Sequence, residues 1–338
     1  MIRAAALWAI LSAQLGAAPA SADCAACHQA QATKFHGTAM ADALEPVAAC
    51  SILAAHPELS FQDRQYRTRI VRQGDKSILS VTDDRETITV PLLWAFGRGH
   101  SGQTYVFEYR GAMYESRVSF YSRLGKLDLT MGVAGRSAET LEQAAGRKMD
   151  AIDARNCFGC HSVGAVKDGK LHLEDITPGV GCESCHDGAV RHAAAMSPGD
   201  AGGARMRRLA TLSSEEMSDL CGRCHRTWSQ VELNGLRGVL NVRFQPYRLA
   251  NSKCYDADDA RIRCTACHDP HGALETKLSS YDAKCQACHS AARQTKICRV
   301  AKTGCAGCHM PKIELPGAHA TFTDHQIRIA RAGDPYPN

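Results

Sequence analysis

Apolar and polar residues alternate with period two in the middle of this chain in a way the rest does not. Runs at 66–71, 77–81 and 86–90 are short and β-rich, and Gln73-Gly74-Asp75 and Asp83-Asp84 between them are turn signals. Runs at 104–109 and 113–120 flank Arg110-Gly111 as a hairpin that puts Tyr105, Phe107 and Tyr109 on one face. The pattern predicts a small antiparallel β module at 60–135. After it the texture changes to short helices and loops. Residues 137–149 have helical composition with Ser137 as N-cap, and Ser213-Ser214-Glu215-Glu216 is a capping box that leads a helix into Cys221. The stretch 197–208, rich in Gly and Arg, reads as an exposed loop with a solvated basic face rather than a dock for an acidic partner. At the start, Arg3, the apolar stretch 4–15 and Ala20-Ser21-Ala22 predict a removable secretory signal over 1–22 rather than a retained anchor. No later segment is long and apolar enough to cross a bilayer.

Seven copies of Cys-x-x-Cys-His change this picture. They are Cys24, Cys27 and His28; Cys157, Cys160 and His161; Cys182, Cys185 and His186; Cys221, Cys224 and His225; Cys264, Cys267 and His268; Cys285, Cys288 and His289; and Cys305, Cys308 and His309. Two thiols at this spacing can add to the two vinyl groups of one haem while the adjacent His ligates its iron. Structural zinc is the competing reading, but it needs cysteine pairs matched in twos or completed by a spaced His pair. Here every pair has its own His at once, so seven covalently attached c-type haems are expected. Of 17 Cys, the motifs leave Cys50, Cys254 and Cys298. Cys254 and Cys298 flank the last motifs and are disulfide candidates in an oxidising compartment, a pairing the sequence does not establish. Cys50 reads as a buried or idle thiol, with haem ligation a minor alternative.

The seven proximal histidines leave eight of the 15 His at positions 36, 56, 100, 172, 192, 271, 319 and 325. Neutral imidazole is the common second axial donor in such sites. His271 lies too close to His268 to reach over the same haem, so it should serve a neighbouring one, and His192 after His186 follows the same logic. His36, His100, His319 and His325 complete the candidate distal set, while His56 and His172 are the weakest candidates. Met40, Met196 and Met310 lie near motifs and read as packing residues.

Six motifs share fewer than 200 residues, so haem faces must supply much of the buried apolar surface. Aromatic content of 6% and a mean hydropathy of −0.27 agree with a modest protein core. The formal charge of +5 is offset by roughly one negative charge per bis-His haem, so basicity is no argument for nucleic acid, and no such partner is expected.

The run Cys305-Ala306-Gly307-Cys308-His309-Met310-Pro311-Lys312 and the following His319-Ala320-Thr321-Phe322-Thr323-Asp324-His325 resemble the C-terminal signature of a family of multihaem c-type cytochromes. That family includes the tetrahaem electron carrier of ammonia oxidisers and the pentahaem nitrite and octahaem hydroxylamine enzymes. Cys267-His268-Asp269-Pro270-His271 and Gly97-Arg98-Gly99-His100 are similar to other segments of such proteins. The resemblance implies short helices wrapped around closely packed haems, with distal histidines often donated from another motif. The expected fold is therefore mainly α and irregular, with a small antiparallel β module inserted after the first haem. Residues 23–59 would form a first haem-binding segment, 60–135 the β module and 136–338 a six-haem domain. The nitrite-reducing members use Lys in place of one motif His, and all seven motifs here end in His. A hydroxylamine enzyme would need a crosslinked Tyr, and nothing marks one of the nine Tyr.

The leading expectation is electron transfer between redox protein partners in the periplasm or at the cell surface, with the quinol side and the terminal reductase side both open. The alternative is an oxidoreductase with one open iron acting on a small nitrogen or sulfur oxyanion, polarised by Arg98, Arg117 or Arg123. A third reading has the β module dock a partner or a second copy of the chain.

Overall fold

The computed structural model describes residues 24–133, 135–196, 206–289, 298, 300–331 and 333–337. The signal stretch over 1–22 and most of the Gly- and Arg-rich loop lie outside them. The chain opens with a short helix α1 (Gln29–Phe35), strand β1 (Leu44–Pro46) and helix α2 (Ser51–Ala55). Then come β2 (Glu58–Asp63), β3 (Tyr66–Gln73), β4 (Lys76–Thr82), β5 (Thr87–Phe96), β6 (Gln103–Tyr109), β7 (Ala112–Tyr121) and β8 (Lys126–Leu129). Helix α3 (Leu141–Ala145) runs straight into β9 (Gly146–Lys148).

These nine strands form one antiparallel sheet in the order β2 to β8, with β1 added on β5 and β9 on β7. The sheet curls until its ends meet. Arg117 on β7 and Asp63 on β2 pair at 3.0 Å, fastening a nearly closed barrel. Its interior holds the largest apolar cluster of the described residues, including Ile70, Leu79, Val81, Tyr105, Phe107 and Phe120, with Leu53 of α2 packed in. Tyr105 and Phe107 are fully buried, as their shared face requires, while Tyr109 is partly covered. The β6–β7 turn uses Arg110 at φ 50° and Gly111 at φ 72°, the paired left-handed geometry that matches the twist of a two-residue hairpin.

A mainly α and irregular fold is therefore not what this sequence adopts. The β element is no small insert: it begins at Leu44, ends at Lys148 and is the dominant core of the molecule. Strands of three residues such as β1 and β9 are too short to display a period, and the sheet recruits them by pairing at a distance. Residues 137–149 likewise give a five-residue helix capped by Thr140, whose side chain accepts from Gln143 N, rather than a long helix from Ser137.

The remaining helices are short. They are α4 (Ala151–His161), α5 (Ala189–Met196), α6 (Ser214–His225), α7 (Trp228–Leu233), α8 (Gln245–Ala250), α9 (Cys264–Cys267), α10 (Asp282–Gln286) and α11 (Cys305–His309). Ser213 caps α6 as the sequence predicts: its Oγ accepts from Glu216 N at 3.2 Å, and Glu216 accepts from Ser213 N at 2.9 Å. No helix of the described residues is long and apolar enough to cross a membrane.

Candidate haem-binding site

Each Cys-x-x-Cys-His winds through about one helical turn. The N–H groups of His28, His186, His268 and His289 donate to the carbonyls of Cys24, Cys182, Cys264 and Cys285 at 2.8 to 2.9 Å. The other three motifs close α4, α6 and α11. One turn brings thiols three residues apart to the same side, with the His beside them. Such a set of two thiols and one imidazole fits a covalently attached haem.

Three of the motif histidines face a second histidine ring. Centroids of His28 and His192 stand 6.5 Å apart at 35°, those of His186 and His271 6.1 Å apart at 4°, and those of His268 and His325 6.1 Å apart at 40°. Metal–imidazole bonds of about 2.0–2.1 Å place two rings that face one ion from opposite sides roughly 6 Å apart between centroids. Each facing histidine comes from elsewhere in the chain: His192 from α5, His271 from the segment after the fifth motif, and His325 from the last segment. His271 thus faces His186 of the third motif and not its own neighbour His268.

The tautomers suit this arrangement. Nδ1 of His161, His309 and His325 lies 2.9 Å from the carbonyls of Ala43, Arg328 and Thr323 respectively. An Nδ1–H spent on a carbonyl leaves the Nε2 lone pair for a metal and fixes the ring's aim. Burial lowers the pKa of His161, His186, His225 and His268, and takes His325 down to about 4. The rings are therefore neutral, the form that ligates iron.

The other sequence candidates are placed differently. His161, His225, His289 and His309 face no second histidine ring at such a distance among the described residues. His36 is exposed at the end of α1, and His100 is exposed in the loop between β5 and β6. His319 gives Nε2 to Asp128 at 2.9 Å and lies edge-on to Tyr121 at 4.7 Å. His56 packs on Phe120 at 4.7 Å, and His172 pairs with Glu174 at 2.9 Å. His172, Glu174 and Asp175 gather within 4.8 Å of one another, but Lys167 pairs with Asp175. Arg98, Arg117 and Arg123, the candidates for polarising an anion, are paired with Asp42, Asp63 and Glu314. Cys254 and Cys298 are not joined, and Cys50 is buried with its thiol 3.2 Å from Gln103 Oε1. Sequence reasoning missed the carbonyls that orient the rings, because a backbone group carries no residue signature.

The family described as cytochrome c554 and c-prime matches residues 129–187, which include the second and third motifs. Among curated proteins the chain is similar to the multihaem cytochrome MtrA of Shewanella baltica (strain OS185), with 24% identity over 194 residues. The match covers 52% of this chain and 48% of that protein, so the chain spans about half the length of the curated relative it matches. No solved structure matches. With the repeated motifs, these similarities support a multihaem c-type cytochrome carrying covalently bound haems.

Proposed function

We propose that the chain is a seven-haem cytochrome that carries electrons between redox proteins in the periplasm or at the cell surface, within the superfamily of the tetrahaem carrier of ammonia oxidisers. The observation that carries this reading is the set of three histidine pairs at 6.1 to 6.5 Å, each joining distant segments of the chain. Bound haem supplies one-electron exchange. The protein's part is to tether it through two thiols, hold a neutral imidazole on each side, and set the local dielectric. Histidine pairs of this kind would spend both imidazoles on one haem and leave no open position for substrate, which suits a carrier. Similarity to a protein named as a multihaem cytochrome supports the same conclusion. His36, His56, His100 and His319 are the further distal candidates, one for each of the four remaining motifs, the last through Nδ1 because Asp128 holds its Nε2.

A haem count by pyridine haemochrome, with low-temperature EPR of the oxidised protein, tests this. Seven haems with only low-spin signals, unmoved by nitrite or hydroxylamine, are expected. A high-spin signal that shifts with either anion would transfer the function to an oxidoreductase.

A further inference from the structure

We propose that the fourth motif, Cys221 to His225, is a three-way junction where three arms of the haem array meet: motifs 1 and 3 on one, motif 2 on the second, and motifs 5, 6 and 7 on the third. This rests on the seven-haem reading above.

One residue inside the fourth motif touches two of the arms. Arg223 sits between Cys221 and Cys224, and its guanidinium pairs with both carboxylate oxygens of Asp187, the residue after the third motif, at 3.3 Å. Its backbone carbonyl oxygen lies 3.7 Å from Cys160 Sγ of the second motif. The Cys160 and Cys224 side chains also lie against each other. A cavity of about 270 Å³ opens where these three motifs converge, lined by Cys160, Glu183, Ser184, Arg223 and Cys224 among others. Toward the third arm, the Cys221 side chain lies against that of Cys264 of the fifth motif. Ser214, at the start of the same α6, donates to the carbonyl of Ile262 just before that motif at 3.0 Å.

Beyond the junction each arm continues by its own contacts, and the first and third also touch where His271 faces His186 and Lys34 pairs with Asp269. The third motif reaches the first through the Cys24 and Cys182 side chains and through His192, which faces His28. The second motif has the barrel at its back, with Phe96 of β5 edge-on to His161 at 5.2 Å. The fifth reaches the sixth through Tyr281, whose hydroxyl lies 3.5 Å from His268 Nδ1 immediately before α10. The sixth is fixed to the seventh by Asp282, whose carboxylate accepts from Gly304 N at 2.8 Å and Cys305 N at 2.9 Å.

The array consequently has three ends, beside motifs 1, 2 and 7, rather than the two of a linear wire. Each end is a place for a one-electron donor or acceptor protein, and every electron given by one such protein is taken up by another. The end beside motif 2 lies against the barrel, which gives the β element a role in partner choice.

Anomalous scattering at the iron edge from crystals of the intact holoprotein tests the junction. The three irons nearest to that of motif 4 are expected to be those of motifs 2, 3 and 5. Any other neighbour displacing one of them, or iron missing from any of these four motifs, overturns the proposal. Fewer than seven irons with those four in place and so arranged upholds the junction and sinks the seven-haem count instead.

Discussion

Arg248 grips Asp324 with two parallel hydrogen bonds, Nε to Oδ1 at 2.8 Å and Nη2 to Oδ2 at 3.0 Å, and both side chains are at 0% exposure. The same guanidinium donates to Gln326 Oε1 at 2.7 Å and to the Pro337 carbonyl at 2.9 Å, and lies over the Tyr336 ring at 4.6 Å. Burial opposes ionisation of Asp324, but Arg248, with help from Arg328, outweighs it and keeps the carboxyl below its ordinary range. The pair pins the last segment of the chain to α8, and the next residue is His325, which faces His268.

Replacing Asp324 by Asn leaves a buried guanidinium without its counter-charge, so a loss of about 3–5 kcal/mol is expected in urea unfolding. Replacing both partners, Arg248→Met with Asp324→Leu, should cost far less, because no charge is then stranded. If the single and double variants lose stability equally, the ion pair is not what secures this segment.

His271 offers a sharper test of which ring serves which motif. His271→Ala should convert one low-spin haem signal to high spin, and that signal should be the one lost when His186 is replaced, not His268. His172→Ala should leave every low-spin signal in place, since that side chain is engaged with Glu174. EPR of the oxidised variants reads both outcomes.

Much of this could be read from the residues. The runs at 66–71, 77–81, 104–109 and 113–120 lie inside β3, β4, β6 and β7, because alternation and turn chemistry are local properties. The closure of the sheet was not legible. It depends on Asp63 meeting Arg117 and on three-residue strands that acquire their form only from a partner far along the chain. Similarly, the residue types of the site are visible in Cys-x-x-Cys-His, while the pairing of His271 with His186 is a tertiary fact that spacing does not encode.

Tyr121 links the barrel to the segment after the last motif, and it should make stability depend on alkaline pH. Its hydroxyl donates to the Leu129 carbonyl at 2.7 Å and lies 3.2 Å from that of Gly317. The side chain is fully buried, and burial pushes its pKa up to about 12. A neutral phenol is thus favoured by the folded state. Its contribution, roughly 2–3 kcal/mol, is complete below the unfolded value of about 10 and is lost as pH rises from there through about 12. Urea midpoints at about pH 9 and about pH 11.5 should fall further apart for the native chain than for Tyr121→Phe. The variant should also lose about 1–3 kcal/mol at neutral pH by leaving buried carbonyls unsatisfied. Equal pH slopes would remove Tyr121 as the cause.

Gly179 sits where three segments meet, and its lack of a side chain is what lets them do so. Its φ is +85°, its N–H donates to the His161 carbonyl at 3.0 Å, and the next residue, Val180, donates to the Met40 carbonyl at 3.0 Å. A Cβ there would stand 1.8 Å from the Ala41 carbonyl oxygen, which is backbone and cannot swing aside. Gly179→Ala therefore carries the left-handed strain of roughly 1–2 kcal/mol and, beyond it, the cost of moving the segment after the first motif. Gly111→Ala is the proper comparison, because φ is +72° there but nothing lies within 4 Å of the added carbon. It should cost roughly 1–2 kcal/mol alone. In thermal unfolding Gly179→Ala should fall well below Gly111→Ala, and its His161 haem signal should shift while that of the hairpin variant stays fixed. If the two variants melt together, the close approach at Ala41 carries no weight in holding the first motif to the second.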